Sequence, residues 1–251
     1  MIEVNHISKQ FDGKQVLQDI TTRFIRGKNN LIIGQSGSGK TVLLKCIIGL
    51  YIIDEGDILF EGKSLMEMDP ASRKNLRKEF GTLFQGGALF SSLTVEENVM
   101  FPLTMNTAMD REEKLERVNF CLKRVRLENA NKLYPSQLSG GMTKRVAIAR
   151  AISLNPKYLF CDEPNSGLDP STANVIDKLI NEITEEYQIT TIVNTHDMNS
   201  VMEIGDQVAF IYQGQLWWEG SRNDILQSSN KELNDFVFAT ELTKKLKHKS
   251  A

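Results

Sequence analysis

The segment LIIGQSGSGKTVLL, residues 31–44, constrains this chain more than any other stretch. It sets Gly34, Gly39, Lys40 and Thr41 in the spacing G-x-x-x-x-G-K-T, between a buried apolar run and a helical period. The glycines let the backbone from Gly34 through Gln35, Ser36, Gly37, Ser38 and Gly39 curl, so that successive N–H groups converge on phosphate oxygens. The helix that follows adds a partial positive charge. Lys40 is then placed for the β- and γ-phosphates, and the Thr41 hydroxyl for Mg²⁺. A Gly-rich turn with the same spacing by chance is the competing reading, and the strand and helix on either side count against it.

Two more apolar runs, YLFCD at 158–162 and TTIVNT at 190–195, read like NLIIG at 30–34 as fully buried parallel strands. Alternation in MIEVNHI and the short runs ILF (58–60) and VAFIY (208–212), each near a Gly turn, suggest strands and hairpins. Helical periodicity follows Lys40 and returns at 110–126, 143–153 and 171–187, so strands alternate with helices as in a parallel α/β sheet. Residues 86–155 are mostly helical and too long for a simple crossover, which reads as an inserted helical subdomain of about 86–155. With no internal repeat and no low-complexity linker, the expectation is one compact domain with lobes over residues 1–240, its core and β lobe at about 1–85 and 156–230, followed by a basic tail at 241–251.

YLFCDEP puts Asp162 at the C-terminal end of a strand, where its carboxylate can hold Mg²⁺ through water. Glu163 comes next and is placed to polarise a water for in-line attack on a γ-phosphate. Alone, the pair would read more simply as a helix cap; the phosphate loop upstream favours chemistry. In YPSQLSGGMTKRVAIARA, residues 134–151, Ser139, Gly140 and Gly141 precede a helix bearing Lys144, Arg145 and Arg150, which makes a second anion cradle. One nucleotide does not need two cradles from one chain. The economical solution is a homodimer in which two copies sandwich two nucleotides across a two-fold axis.

Taken together, GQSGSGKT (34–41), Gln85, LSGGM (138–142), YLFCDE (158–163), SGLD (166–169) and NTHD (194–197) resemble an ATP-binding cassette (ABC) ATPase subunit over essentially the full length. The resemblance implies a P-loop NTPase with a RecA-like parallel-sheet core, an antiparallel β subdomain and an inserted helical subdomain. It implies ATP and Mg²⁺ as cofactors. Phe11 would stack on adenine, Gln85 would contact Mg²⁺ and sense the partner, Asp169 would reach across the dimer, and His196 would touch the γ-phosphate. Ser139, Gly140 and Gly141 would bind the γ-phosphate held by the other copy. Phe11 by itself is more often a core aromatic than an adenine platform, and His196 alone could be a structural histidine. Met142 stands where the family most often has Gln, and Asn165 where it commonly has Thr.

The stretch FQGGALFSSLTVEENVMFPL, residues 84–103, surrounds one Gln and two Gly with apolar side chains. By composition it divides evenly between packing its own lobe and forming a groove for a partner helix; the resemblance favours coupling. With LSGGM it is similar to ATPases of the Mla type, which serve MCE-protein systems moving phospholipid between bacterial membranes. The implied partners are membrane permease subunits and a periplasmic MCE-domain protein. The basic tail, ELTKKLKHKS at 241–250, reads first as a solvated terminus, with contact to the second subunit, a small regulatory subunit or anionic lipid headgroups as the competing reading. An ABC importer for a small solute, such as an amino acid or a metal, stays open as the alternative, with a non-transport ABC ATPase behind it.

A formal charge of −2 gives no reason to expect nucleic acid as a partner. Cys46, Cys121 and Cys161 are far apart and outside any CxxC, which reads as reduced, buried thiols. Without a leader pattern or an apolar window of spanning length, the expected location is peripheral, on the cytoplasmic face of the inner (plasma) membrane.

Overall fold

The computed structural model describes residues 1–238; the basic tail at 241–251 lies outside them. In chain order the elements begin with β1 (Ile2–Phe11), β2 (Lys14–Phe24), β3 (Asn29–Ile33), α1 (Lys40–Ile47), β4 (Glu55–Phe60) and β5 (Lys63–Ser64). There follow α2 (Pro70–Lys78), β6 (Phe80–Leu83), α3 (Val95–Asn106), α4 (Arg111–Arg124), α5 (Gly140–Ala151), β7 (Tyr158–Asp162) and α6 (Pro170–Tyr187). The chain continues through β8 (Thr190–Thr195), α7 (Met198–Ile204), β9 (Gln207–Tyr212), β10 (Gln215–Gly220), α8 (Arg222–Gln227) and α9 (Lys231–Val237). Two compact units result, one of Met1–Met68 with the residues from Ile192 on, the other of Asp69–Thr191.

The first unit contains an antiparallel sheet in the order β2-β1-β4-β5. The alternation of MIEVNHI forms β1, but not with an unbroken period. Ile2 and Val4 are buried, His6 has φ +52 and points to solvent, and Ile7 is buried in its place. The register shifts between Val4 and Ile7, so a bulge keeps the apolar residues on one face. Asp19 on β2 also has positive φ, and its Oδ1 lies 2.7 Å from His6 Nδ1. Strand β2 therefore buries Leu17, Ile20, Thr22 and Phe24 at uneven spacing, which hides it from a search for period two. Strand β3 is buried at all five positions and pairs in parallel with β9, Leu31 opposite Val208 and Ile33 opposite Phe210. Asn30 is compatible with burial because its side-chain amide accepts from Ile25 N and donates to the carbonyls of Ile25 and Lys28.

In the second unit β6 and β7 run parallel, with Leu83 opposite Cys161. Helix α5 packs on α3, α4, α6 and β6. It begins at Gly140 rather than near 143, because the Ser139 hydroxyl accepts from Met142 N and caps it. Helix α3 explains the apolar stretch at 84–103. Thr94 and Glu97 form a capping box, and Val95, Val99 and Leu103 recur on one buried face. Each such side chain stabilises the fold by about 1.5–3 kcal/mol. Between them the buried Asn98 donates to the carbonyls of Phe90, Leu93 and Thr94 and accepts from Phe90 N, which fixes the loop before the helix. Phe90 and Phe101 stay exposed, with ring centroids 4.8 Å apart.

All three cysteines are free and buried, and burial pushes the thiols of Cys46 and Cys121 up to about 12 and about 11. None of the helices among the described residues is long and apolar enough to cross a membrane.

Candidate functional site

In the first unit, β3 ends in Gly34 and the chain curls through residues 35–39 into α1. Gly34 has φ +149, and a Cβ there would stand 2.2 Å from the Ile211 carbonyl oxygen and 2.9 Å from Ser38 Oγ. No other residue fits that approach. Ser38 N donates to Gln35 O at 3.1 Å, and Lys40 Nζ spans the loop by donating to Gly34 O at 2.8 Å and Gln35 O at 3.0 Å. Gln35, Ser36 and Gly37 are exposed, whereas the Ser38 hydroxyl is buried with no hydrogen-bond partner among the described residues. A buried orphan hydroxyl inside a curl of backbone amides is the chemistry of an anion cradle, so the loop fits the phosphates expected of it. Thr41 follows on the first turn of α1, and Asn194 Nδ2 donates to its Oγ1 at 3.1 Å. His196 is exposed directly after the fully buried strand β8. Phe11, at the end of β1, is 38% exposed; Tyr51 packs edge-on at 5.2 Å and Lys9 Nζ lies 5.1 Å from its ring centroid.

In the second unit three separate sequence segments converge. The Leu83–Cys161 pair is the last across these parallel strands, and Gln85 and Glu163 follow it by two residues each, just past the strand ends. Asp162 is buried at the end of β7, and Glu163 has φ +50, a rare conformation for a side chain of that length. The N-terminus of α5 packs against the segment that follows. A Cβ at Gly141 would lie 2.5 Å from Thr172 Cγ2, and one at Gly140 would lie 3.3 Å from Leu168. Ser139 and Gly140 are exposed at that helix end. Asp169 caps α6 by accepting from Thr172 N, and the hydrogen bonds from Thr172 hold its carboxyl below the usual 3.8.

Three contacts were not legible in the sequence. Asn194, within NTHD, is a buried asparagine near the end of a buried strand and needs a partner, which Thr41 supplies. Asn165 donates to the buried Asp177 at 2.7 Å, which gives the departure from Thr a structural reason. Arg150 donates from Nη1 to Ala88 O and from Nη2 to Gly87 O, both at 2.9 Å, and lies over the Phe90 ring. It thereby clamps the turn after Gln85, in which Gly86, Gly87 and Ala88 all have positive φ.

The family model described as ABC transporter matches residues 17–166, which span the phosphate loop, the LSGGM segment and Asp162-Glu163. The chain belongs to the ABC transporter family. The methionine import ATP-binding protein MetN of Clostridium tetani (strain Massachusetts / E88) is 39% identical over 242 residues, covering 96% of this chain and 76% of that protein. A probable ribonucleotide transport ATP-binding protein, mkl, of Mycobacterium tuberculosis is 34% identical over 236 residues, covering 94% of this chain and 66% of that protein. The dimeric structure of the ATP-binding cassette MJ0796 in a post-hydrolysis state with ADP and Pi superposes with a TM-score of 0.80 at 31% identity, over 88% of this chain and 99% of that one. As an ABC ATP-binding subunit, the chain has the α/β P-loop NTPase fold of that cassette and is an ATP-hydrolysing enzyme. The Mla-type kinship suggested by residues 84–103 finds no counterpart in these relatives, whose printed names point to other cargo.

Proposed function

We propose that this chain is the ATPase subunit of an ABC transporter for a small solute, working as a homodimer beneath membrane permease subunits. The observation that carries the engine is the anion cradle at 34–41, with its orphan Ser38 hydroxyl and Lys40 drawn across it. Gly34 to Thr41 bind the triphosphate, and Phe11 offers its exposed face to adenine. Thr41, Gln85 and Asp162 offer a hydroxyl, an amide carbonyl and a carboxylate, the hard oxygen donors that suit Mg²⁺. When bound, that ion neutralises charge on the β- and γ-phosphate oxygens. Glu163 takes the proton of the attacking water, and His196 holds a γ-phosphate oxygen. Ser139, Gly140 and Gly141 serve the nucleotide of the second copy, and Asp169 reaches across the dimer. The solute-importer reading is supported by MetN, the relative at 39% identity.

A second reading, phospholipid transport with an MCE-domain protein and a small regulatory subunit, is favoured by Met142 and by the residue pattern of 84–103. Either reading places the chain peripherally on the cytoplasmic face of the inner membrane. Tagging the chain, extracting it from its native membrane in mild detergent and identifying co-purifying proteins and lipids by mass spectrometry separates them. A permease with a solute-binding protein supports the importer. A permease with an MCE-domain protein and enriched phospholipid replaces that cargo, and a soluble nucleic-acid complex overturns transport itself.

A further inference from the structure

Lys144 lies on α5, five residues after Ser139, and is only 4% exposed. Its Nζ is 3.4 Å from the carbonyl oxygen of Glu163 and 3.4 Å from Ser166 Oγ. The same Glu163 carbonyl accepts from Ser166 N at 3.2 Å. A buried ammonium is costly without compensating groups, and those facing this one are the Cys161 thiol and the carboxylates of Glu163 and Asp162. One of its two hydrogen bonds therefore goes to the backbone of the one residue here that combines positive φ with a proposed catalytic carboxylate. Strained backbone persists only where its surroundings over-determine it, and Lys144 supplies part of that constraint from helix α5.

We propose that Lys144 is a positioning residue for Glu163: it holds the carbonyl of the strained residue, fixes the direction of the carboxylate, and ties that direction to the helix whose N-terminus carries Ser139, Gly140 and Gly141. This rests on the reading of Glu163 as the base. Ligand binding at the end of α5 then biases the base of the same copy, so that each nucleotide in a dimer sets up hydrolysis of the other.

The test is a double-mutant cycle in the full chain, read by ATP turnover and by binding of a fluorescent ATP analogue. Lys144→Met lowers kcat about tenfold, with KM and analogue affinity within twofold of wild type, and Lys144→Arg, which reaches the same carbonyl, recovers most of the rate. In a Glu163→Gln background, followed by single-turnover cleavage of radiolabelled ATP, Lys144→Met adds no further loss. A second tenfold loss in that background, or wild-type kcat for Lys144→Met, overturns the proposal. If the Met variant does not fold, Lys144→Gln takes its place in the same cycle. Normal turnover of Glu163→Gln alone removes the base, and the proposal with it, whatever the Lys144 variants show.

Discussion

Asn194 Nδ2 donates to Thr41 Oγ1 at 3.1 Å, so the end of β8 orients the hydroxyl at the start of α1. Partners that orient a metal ligand typically matter by ten- to a hundredfold in metal affinity. Asn194→Ala should raise the Mg²⁺ concentration for half-maximal ATPase activity by about tenfold. A Mg²⁺ titration of turnover at saturating ATP checks this, and an unchanged midpoint removes Asn194 from the metal's support.

Glu163→Gln should leave ATP binding intact while turnover falls by about a hundredfold or more, because the amide cannot take the proton. Lys40→Ala should act on the earlier step and weaken nucleotide binding itself. Equilibrium binding and turnover measured on both variants separate the two roles.

Arg150 makes two hydrogen bonds from a charged group to backbone carbonyls of one turn. Bonds of this kind contribute about 1.5–3 kcal/mol each, and the loss of both by Arg150→Ala should destabilise the protein by about 3–6 kcal/mol. Arg150→Lys keeps the charge without the fork and should recover about half. Denaturant midpoints of the three proteins give the comparison; equal midpoints for Ala and Lys would show that the paired geometry alone, and not the charge, holds the turn.

Asn98→Ala strands the amide of Phe90 and removes donors from three carbonyls. A cost of about 1–3 kcal/mol follows. Faster amide exchange at Phe90, with little change in the strands, would locate the damage in the loop before α3.

Carboxylates that cap helices contribute to the acid response. Hydrogen bonds from Thr172 hold Asp169 below 3.8, those from Ser72 and Ala71 do so for Asp69, and those from Thr94 hold Glu97 below 4.5. Because the folded values are the lower ones, the unfolded chain binds more protons as pH falls through this range. Stability from these groups is fully present above about pH 5 and is lost below about pH 4 as they protonate. Urea midpoints at pH 6, 5, 4 and 3.5 should be level across the first two and then fall, and less so for Asp169→Asn.

How much was legible depended on whether the controlling interaction was local. The buried strands 30–34, 158–162 and 190–195 were readable because burial on both faces leaves a continuous apolar run, and α4 and α6 because their acidic or Pro-marked starts and their periods lie within one segment. Strand β2 was not, since the bulges at His6 and Asp19 break its period and exist only because of the paired strand. The start of α5 was read late because two glycines precede its apolar face, while the cap that fixes it is a single hydroxyl.

The sequence by itself determined the phosphate loop, the carboxylates at the end of β7 and the family, because backbone curl, strand end and helix start are each specified by adjacent residues. Tertiary structure alone decided that Glu163 sits at positive φ with its carbonyl against Lys144, that Arg150 clamps Gly87 and Ala88, and that Asn194 reaches Thr41. Those pairs are separated by 19, 63 and 153 positions. A side chain that satisfies a backbone group so far away leaves no periodic trace in its own segment, and only folding brings donor and acceptor within reach.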